Sequence, residues 1–167
     1  MTHNWDPQVQ SFLKSYGWTN SQNETLAADA SLRQYFRLKQ GSKSVVLMDA
    51  RSASQEETQR FCDIAYLLEK HGLHSPKIFA RNTDIGLLLI EDFGDDLFAR
   101  IMERDPTKIR PLYKTSLEML LHLRRVPLPE WLTQPSSKDL AQSISPFFDY
   151  YLDNDAMKNG VRQTITK

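Results

Sequence analysis

Apolar and polar positions follow two periods along the chain, and the change from one to the other divides the sequence. Val9, Phe12, Leu13 and Tyr16 recur at helical spacing behind Asp6-Pro7, an N-cap followed by a first-turn proline, and Gly17 stops the pattern. A short amphipathic helix is therefore expected there. The pattern then turns extended, with strands over Glu24 to Ala28, Gln34 to Lys39 and Ser44 to Asp49, the last two joined by a turn at Gln40-Gly41-Ser42. No helical stretch separates them, which fits antiparallel neighbours joined by short turns better than a crossover topology. Ser54 and Glu57 frame a capping box opening a helix over Gln55 to His71, with Phe61, Ile64, Ala65 and Leu68 as its apolar face. Pro76 sets off a strand around Lys77 to Ala80, and Leu87 to Ile90 is an unbroken apolar run of the kind buried on both faces of a sheet.

Beyond residue 92 the pattern is helical only. Glu91-Asp92-Phe93-Gly94 breaks the last strand, and Asp95 or Asp96 is the expected N-cap of a helix to Arg104 carrying Leu97, Phe98, Ile101 and Met102. A second helix starts at Pro106 behind Asp105 and bears Ile109, Leu112, Tyr113, Leu117, Leu120 and Leu121, and one or two more span Lys138 to Leu152. Three prolines make Val126 to Pro135 a loop, and the stretch after Leu152 is too polar to bury much. The fold class expected is α+β: a five-stranded antiparallel sheet with one inserted helix, then helices. The regions are 1–93, 94–153 and a polar tail over 154–167. At the exit from the last strand, the backbone of Glu91 to Phe93 is left without sheet partners, which fits either an ordinary strand-to-helix turn or a row of donors and acceptors for the flat edge of a ligand.

Composition narrows the partners. Of 167 residues, 40% are hydrophobic and 25% charged, which suits a folded chain of about one domain. Lysine plus arginine number 21 and aspartate plus glutamate 21, all scattered, so no footprint for nucleic acid or a membrane surface is present. The longest apolar runs fall short of a membrane span. Cys62 is the single cysteine, and the start of the chain lacks the basic and apolar regions of a signal peptide, so a reducing cytoplasm is the expected setting. Neither Cys62, His71 nor His74 has an obvious ligand set around it, and no metal site is expected.

Three segments in order, Ala28-Asp-Ala-Ser-Leu-Arg-Gln-Tyr-Phe-Arg37, Val45-Val-Leu-Met-Asp-Ala50 and Gly86-Leu-Leu-Leu-Ile-Glu-Asp-Phe-Gly-Asp95, resemble the aminoglycoside phosphotransferase superfamily, whose fold is protein-kinase-like. The branch they resemble most is the bacterial sugar kinases that phosphorylate N-acetylmuramate and N-acetylglucosamine. The resemblance implies a small nucleotide-binding lobe, a hinge, and the first helices of a large lobe, with ATP and magnesium as cofactors and a small amino sugar as substrate. It places Asp29, Ala30, Ser31 and Arg33 in the loop over the nucleotide phosphates, and makes Glu91 and Phe93 the hinge residues whose backbone reads adenine, with Ile90 lining the pocket. The plainer alternative makes Asp-Ala-Ser a tight turn and Arg33 or Arg37 an exposed strand cation, a reading that stays open for Arg37.

Two departures qualify what the resemblance implies. Met48 stands where many kinase-like proteins carry the lysine that holds the nucleotide phosphates, and a thioether cannot do so. Nor does the sequence contain a His-x-Asp catalytic loop followed four residues later by Asn. Without a proton acceptor and metal ligands little rate enhancement should remain. The expectation is thus the N-terminal half of a phosphotransferase, truncated and inactive alone, with no catalytic or metal residues of its own. The alternatives are a non-catalytic nucleotide-binding or partner-binding lobe and a remnant without function. Apolar faces on the later helices, including Leu117, Leu120, Leu121, Phe147, Phe148 and Tyr151, point to self-association.

Overall fold

A computed structural model describes residues 4–26, 32–144 and 146. Helix α1 (Pro7–Ser15) starts as its local chemistry dictates: the Asp6 side chain accepts the N–H groups of Gln8 and Val9, and Pro7 occupies a position whose N–H would be orphaned. Strands β1 (Gln22–Thr25), β2 (Gln34–Gln40) and β3 (Lys43–Asp49) follow, then helix α2 (Gln55–Lys70), and then β4 (Ile78–Asn82) and β5 (Leu87–Glu91). The five strands form one antiparallel sheet in the order β1-β2-β3-β5-β4. An α+β class is thus observed.

Alternation sorts the sheet into two faces. Phe36, Leu38, Val45, Leu47, Leu87 and Leu89 meet Val9, Phe12 and Leu13 of α1 on one side. Val46, Met48, Leu88 and Ile90 meet Cys62 of α2 on the other. The register places Arg37 opposite Val46 and Val46 opposite Ile90, so a charged residue of β2 shares the second, α2-covered face. At the β4 edge the pairing slips between Ile78 and Ala80, which leaves Phe79 as a bulge that interrupts the ladder.

Several boundaries differ from the sequence-based expectation. The first strand begins at Gln22 rather than Glu24: it is a polar edge strand paired only with β2, so no apolar alternation marks its start. The capping box of Ser54 and Glu57 is present, but α2 turns a different face to the sheet. Thr58, Cys62 and Ala65 are its buried residues, whereas Ile64 is 38% exposed and Phe61 only flanks the core. Small side chains let the helix axis approach a sheet surface already filled by Met48, Leu88 and Ile90, and the bulkier residues are displaced to the flank. Burial pushes the Cys62 thiol up despite a hydrogen bond with Arg81, which leaves it a protonated core group.

Beyond the sheet, α3 (Phe98–Arg104) has Leu97 at its N-cap with no side-chain cap, in place of Asp95 or Asp96. Both acids are diverted to arginines: Asp95 to Arg37 at 3.0 Å and Asp96 to Arg104 at 2.7 Å. A single 3₁₀ turn, Pro106–Lys108, capped by Asp105, leads into α4 (Ile109–Leu123), none of whose residues is buried. The His122 ring nitrogen lies 2.8 Å from the carbonyl of His71 at the end of α2. Two compact units divide at Val126 and Pro127. The second holds the proline-rich loop and helix α5 (Ser137–Ser143), opened by a Ser136–Asp139 capping box. The expected helix to Leu152 extends outside the described residues, as do Phe147, Phe148, Tyr151 and the region 154–167. Among the described residues no helix is long and apolar enough to cross a membrane.

Candidate nucleotide hinge

The turn that follows β5 is held by a buried charge. Arg37, 4% exposed, reaches from the middle of the sheet to Asp92, donating from Nε at 2.8 Å and Nη2 at 3.0 Å in a forked pair. Its remaining nitrogen, Nη1, donates to both oxygens of Asp95 at 3.0 Å. Asp92 also accepts from the Ser44 hydroxyl on β3 and from the Gly94 N–H at 2.9 Å. Two residues of alternation beyond Ile90 bring the Asp92 side chain to the face that Arg37 occupies. Burial pushes the Asp92 carboxyl up, but the hydrogen bonds from Ser44, Arg37 and Gly94 outweigh it and hold the group below the ordinary carboxylate range. The same Asp92 bond raises Arg37, against the opposing effect of burial. With both side chains of the Arg37–Asp92 pair less than 10% exposed, removing Arg37 would leave the Asp92 carboxylate buried without a cation, at a cost of roughly 3–5 kcal/mol.

Arg37 is therefore not the exposed strand cation that its residue type suggested. Its burial follows from tertiary partners 55 and 58 positions away in sequence. A signal was nevertheless present: Arg37 falls on the same strand face as Tyr35, and Asp92 on the same face as Leu88 and Ile90, so opposite charges share one side of the predicted sheet.

The expected hinge residues sit around this clamp. Ile90, 6% exposed, packs with Val46 and Met48. The Glu91 N–H donates to Lys77 O at 2.8 Å, and its carboxylate accepts the Lys77 N–H at 3.2 Å and lies 3.5 Å from His74. Phe93 is 56% exposed with its ring edge-on to His74 at 5.0 Å, and among the described residues no acceptor meets its N–H. Arg33 lies at the other end of the same face, its guanidinium 5.6 Å above the Phe61 ring and donating to Glu57 O at 3.4 Å. Phe61 in turn packs against the cluster containing Met48, which is fully buried. Arg33, Phe61, Ile64, Leu68 and Pro76 line an apolar cleft of about 320 Å³. Asp29, Ala30 and Ser31 lie outside the described residues. A larger cleft, about 450 Å³, opens among Tyr16, Tyr66, Phe79 and Arg81 and shares no residue with the hinge.

Among the described residues the Phe93 N–H meets no acceptor, and no cluster of three His, Cys, Asp or Glu could hold a metal ion. Asp92 and Asp95 are already engaged by Arg37.

A five-stranded antiparallel sheet with a helix inserted before its fourth strand, delivering its last strand into a hinge and then helices, is the order of a kinase-like N-terminal lobe. Residues 23–157 match the family described as phosphotransferase enzyme family, and the chain belongs to it. It is 32% identical over 126 residues to the N-acetylmuramate/N-acetylglucosamine kinase of Pseudomonas aeruginosa, covering 75% of this chain and 36% of that one. Its identity to the kinase of the same name from Caulobacter vibrioides is 31% over 153 residues, with 75% and 42% covered. For the Pseudomonas putida kinase the figures are 28% over 153 residues, 90% and 44%. The chain thus spans 36–44% of the length of these curated relatives.

Proposed function

We propose that these residues are the nucleotide-binding part of an ATP-dependent phosphotransferase acting on a hydroxyl of a small amino sugar, of the N-acetylmuramate or N-acetylglucosamine type named for the relatives. Residues 1–93 form the nucleotide lobe with its leading helix, and 94–153 the hinge exit and first helices of a second lobe. The observation that carries the reading is the strand exit: a buried strand ends in a turn bonded to the sheet through Arg37 and Asp92, and the Phe93 N–H in it has no acceptor among the described residues. ATP would set its adenine edge against that N–H and the apolar side chains of Val46 and Ile90. Arg33, close to the apolar cluster of Met48, would supply positive charge that Met48 cannot, together with the loop of Asp29, Ala30 and Ser31. The bound nucleotide supplies the phosphoryl group; these residues bind and orient it.

A second reading is a lobe that binds nucleotide or a partner without turnover. The 167 residues contain no His-x-Asp followed four residues later by Asn, the pattern that would receive the sugar's proton and hold magnesium. Purified chain is therefore expected to bind a fluorescent ATP analogue yet transfer no label from ATP to either sugar. Phe93→Pro should weaken binding by about 1–3 kcal/mol, whereas Glu91→Ala should change it little. Equal losses would refute backbone readout, and turnover beyond contaminant controls would place a proton acceptor elsewhere in the chain. Self-association is expected through α4, which exposes Tyr113, Leu117, Leu120 and Leu121. Sedimentation at rising concentration tests it, and a constant monomer would rule it out.

A further inference from the structure

We propose that Arg37 is a positioning residue for the hinge: from the sheet it grips both ends of the turn between Asp92 and Asp95, and so fixes the direction in which Phe93 presents its N–H. The inference rests on the nucleotide reading above and gives Arg37 no contact with the ligand. Three observations carry it. Arg37 stands on β2, held on both sides by β1 and β3, so its anchor is a rigid part of the sheet. Its bonds run to the first and last residues of the turn, and Asp92 also takes the Gly94 N–H, which leaves Phe93 as the one residue between the clamped ends whose N–H meets no acceptor among the described residues. The two carboxylates also differ: the side chain of Asp92 is 9% exposed and that of Asp95 65%. Neutralising a buried guanidinium requires one carboxylate. The second, mostly in water, adds little stability but ties the start of the α3 segment to the sheet, which determines how the turn is held.

The test compares Arg37→Lys, Asp95→Asn and the double variant in the full 167-residue chain. The measurements are affinity for a fluorescent ATP analogue, thermal midpoint, and hydrogen exchange at the amides of Phe93 and Gly94. Lysine keeps the charge but not the fork, so Arg37→Lys should weaken binding about tenfold, equivalent to ~1.4 kcal/mol. Asp95→Asn should weaken it about threefold while moving the midpoint by no more than ~2 °C, since an exposed pair contributes little to stability. The double variant should bind no more weakly than Arg37→Lys, the non-additivity expected of one network. Both single variants should speed exchange at Gly94. Wild-type affinity and unchanged exchange in both would overturn the proposal. If the parent chain binds no nucleotide, the nucleotide reading fails, and exchange alone then decides whether Arg37 holds the turn: faster exchange confined to the hinge supports it, and unchanged exchange refutes it.

Discussion

Gly86→Ala offers a direct test of how closely the turn before β5 packs against the end of β3. Gly86 adopts φ +69°, and a Cβ placed there would lie 2.9 Å from both the carbonyl carbon and oxygen of Ala50 and 3.0 Å from the nitrogen of Arg51. Those atoms are backbone and cannot rotate away. Gly86 O also accepts the Ala50 N–H at 2.8 Å, so opening the turn to relieve the overlap would break that bond. Gly41 supplies the control, with φ +61° and nothing within 4 Å of a Cβ. Alanine at position 41 bears only the left-handed conformation, offset in part by the lower entropy of the unfolded chain, a net cost of about 1 kcal/mol. At position 86 the backbone overlap adds the 1–3 kcal/mol typical of overpacking, for a total of about 2–4 kcal/mol. Urea unfolding of both variants measures the difference. Equal destabilisation, within about 0.5 kcal/mol, would show that the turn relaxes freely and that the close approach to Ala50 carries no energetic weight.

Two further outcomes follow from the hinge face. The Asp92 carboxyl is held below its ordinary value in the folded state, so its contribution to stability is complete above the unfolded carboxylate value near 3.9 and is lost as pH falls through the lower folded value. Unfolding midpoints between pH 7 and pH 2.5 should fall at the acid end, and Asp92→Asn should flatten that fall; an identical slope in the variant would refute the assignment. Met48 is 0% exposed among Val46, Leu88 and Cys62, so Met48→Lys should destabilise the chain by about 3–5 kcal/mol rather than restore a phosphate-binding cation, while Met48→Leu should cost under about 1.5 kcal/mol. A stable, folded Met48→Lys protein with tighter ATP binding would reverse this view of the site.

Local signals made much of the fold legible in the sequence. Asp6-Pro7 and Ser54 with Glu57 marked two helix starts because capping is settled within three or four residues, and the apolar run Leu87 to Ile90 marked a buried strand because its burial leaves no polar position to place. The same locality explains the failure at α3, where Asp95 and Asp96 have the composition of caps but are claimed by Arg37 and Arg104. The strand exit at Glu91 to Phe93 was also legible, since the break after an apolar run announces where a strand ends. That the Glu91 N–H is taken by Lys77 while that of Phe93 meets no acceptor among the described residues was not, because it depends on how the segment leading into β4 lies beside β5.

The sequence by itself determined the order of elements, the antiparallel connections and the strand exit after Ile90, since each follows from periodicity, turn residues and short connections. Tertiary structure decided which side of α2 meets the sheet and what Arg37 is for. A helical stripe containing Phe61, Ile64, Ala65 and Leu68 is wide enough to be turned by tens of degrees, and only the bulk of Met48, Leu88 and Ile90 opposite selects the small residues Thr58, Cys62 and Ala65 for the closest approach. A lone arginine in a strand is read from sequence as solvent-exposed because charges are seldom buried. It is buried here because the sheet register and the turn after β5 bring Asp92, Ser44 and Asp95 to its guanidinium, and that convergence exists only once the strands are paired.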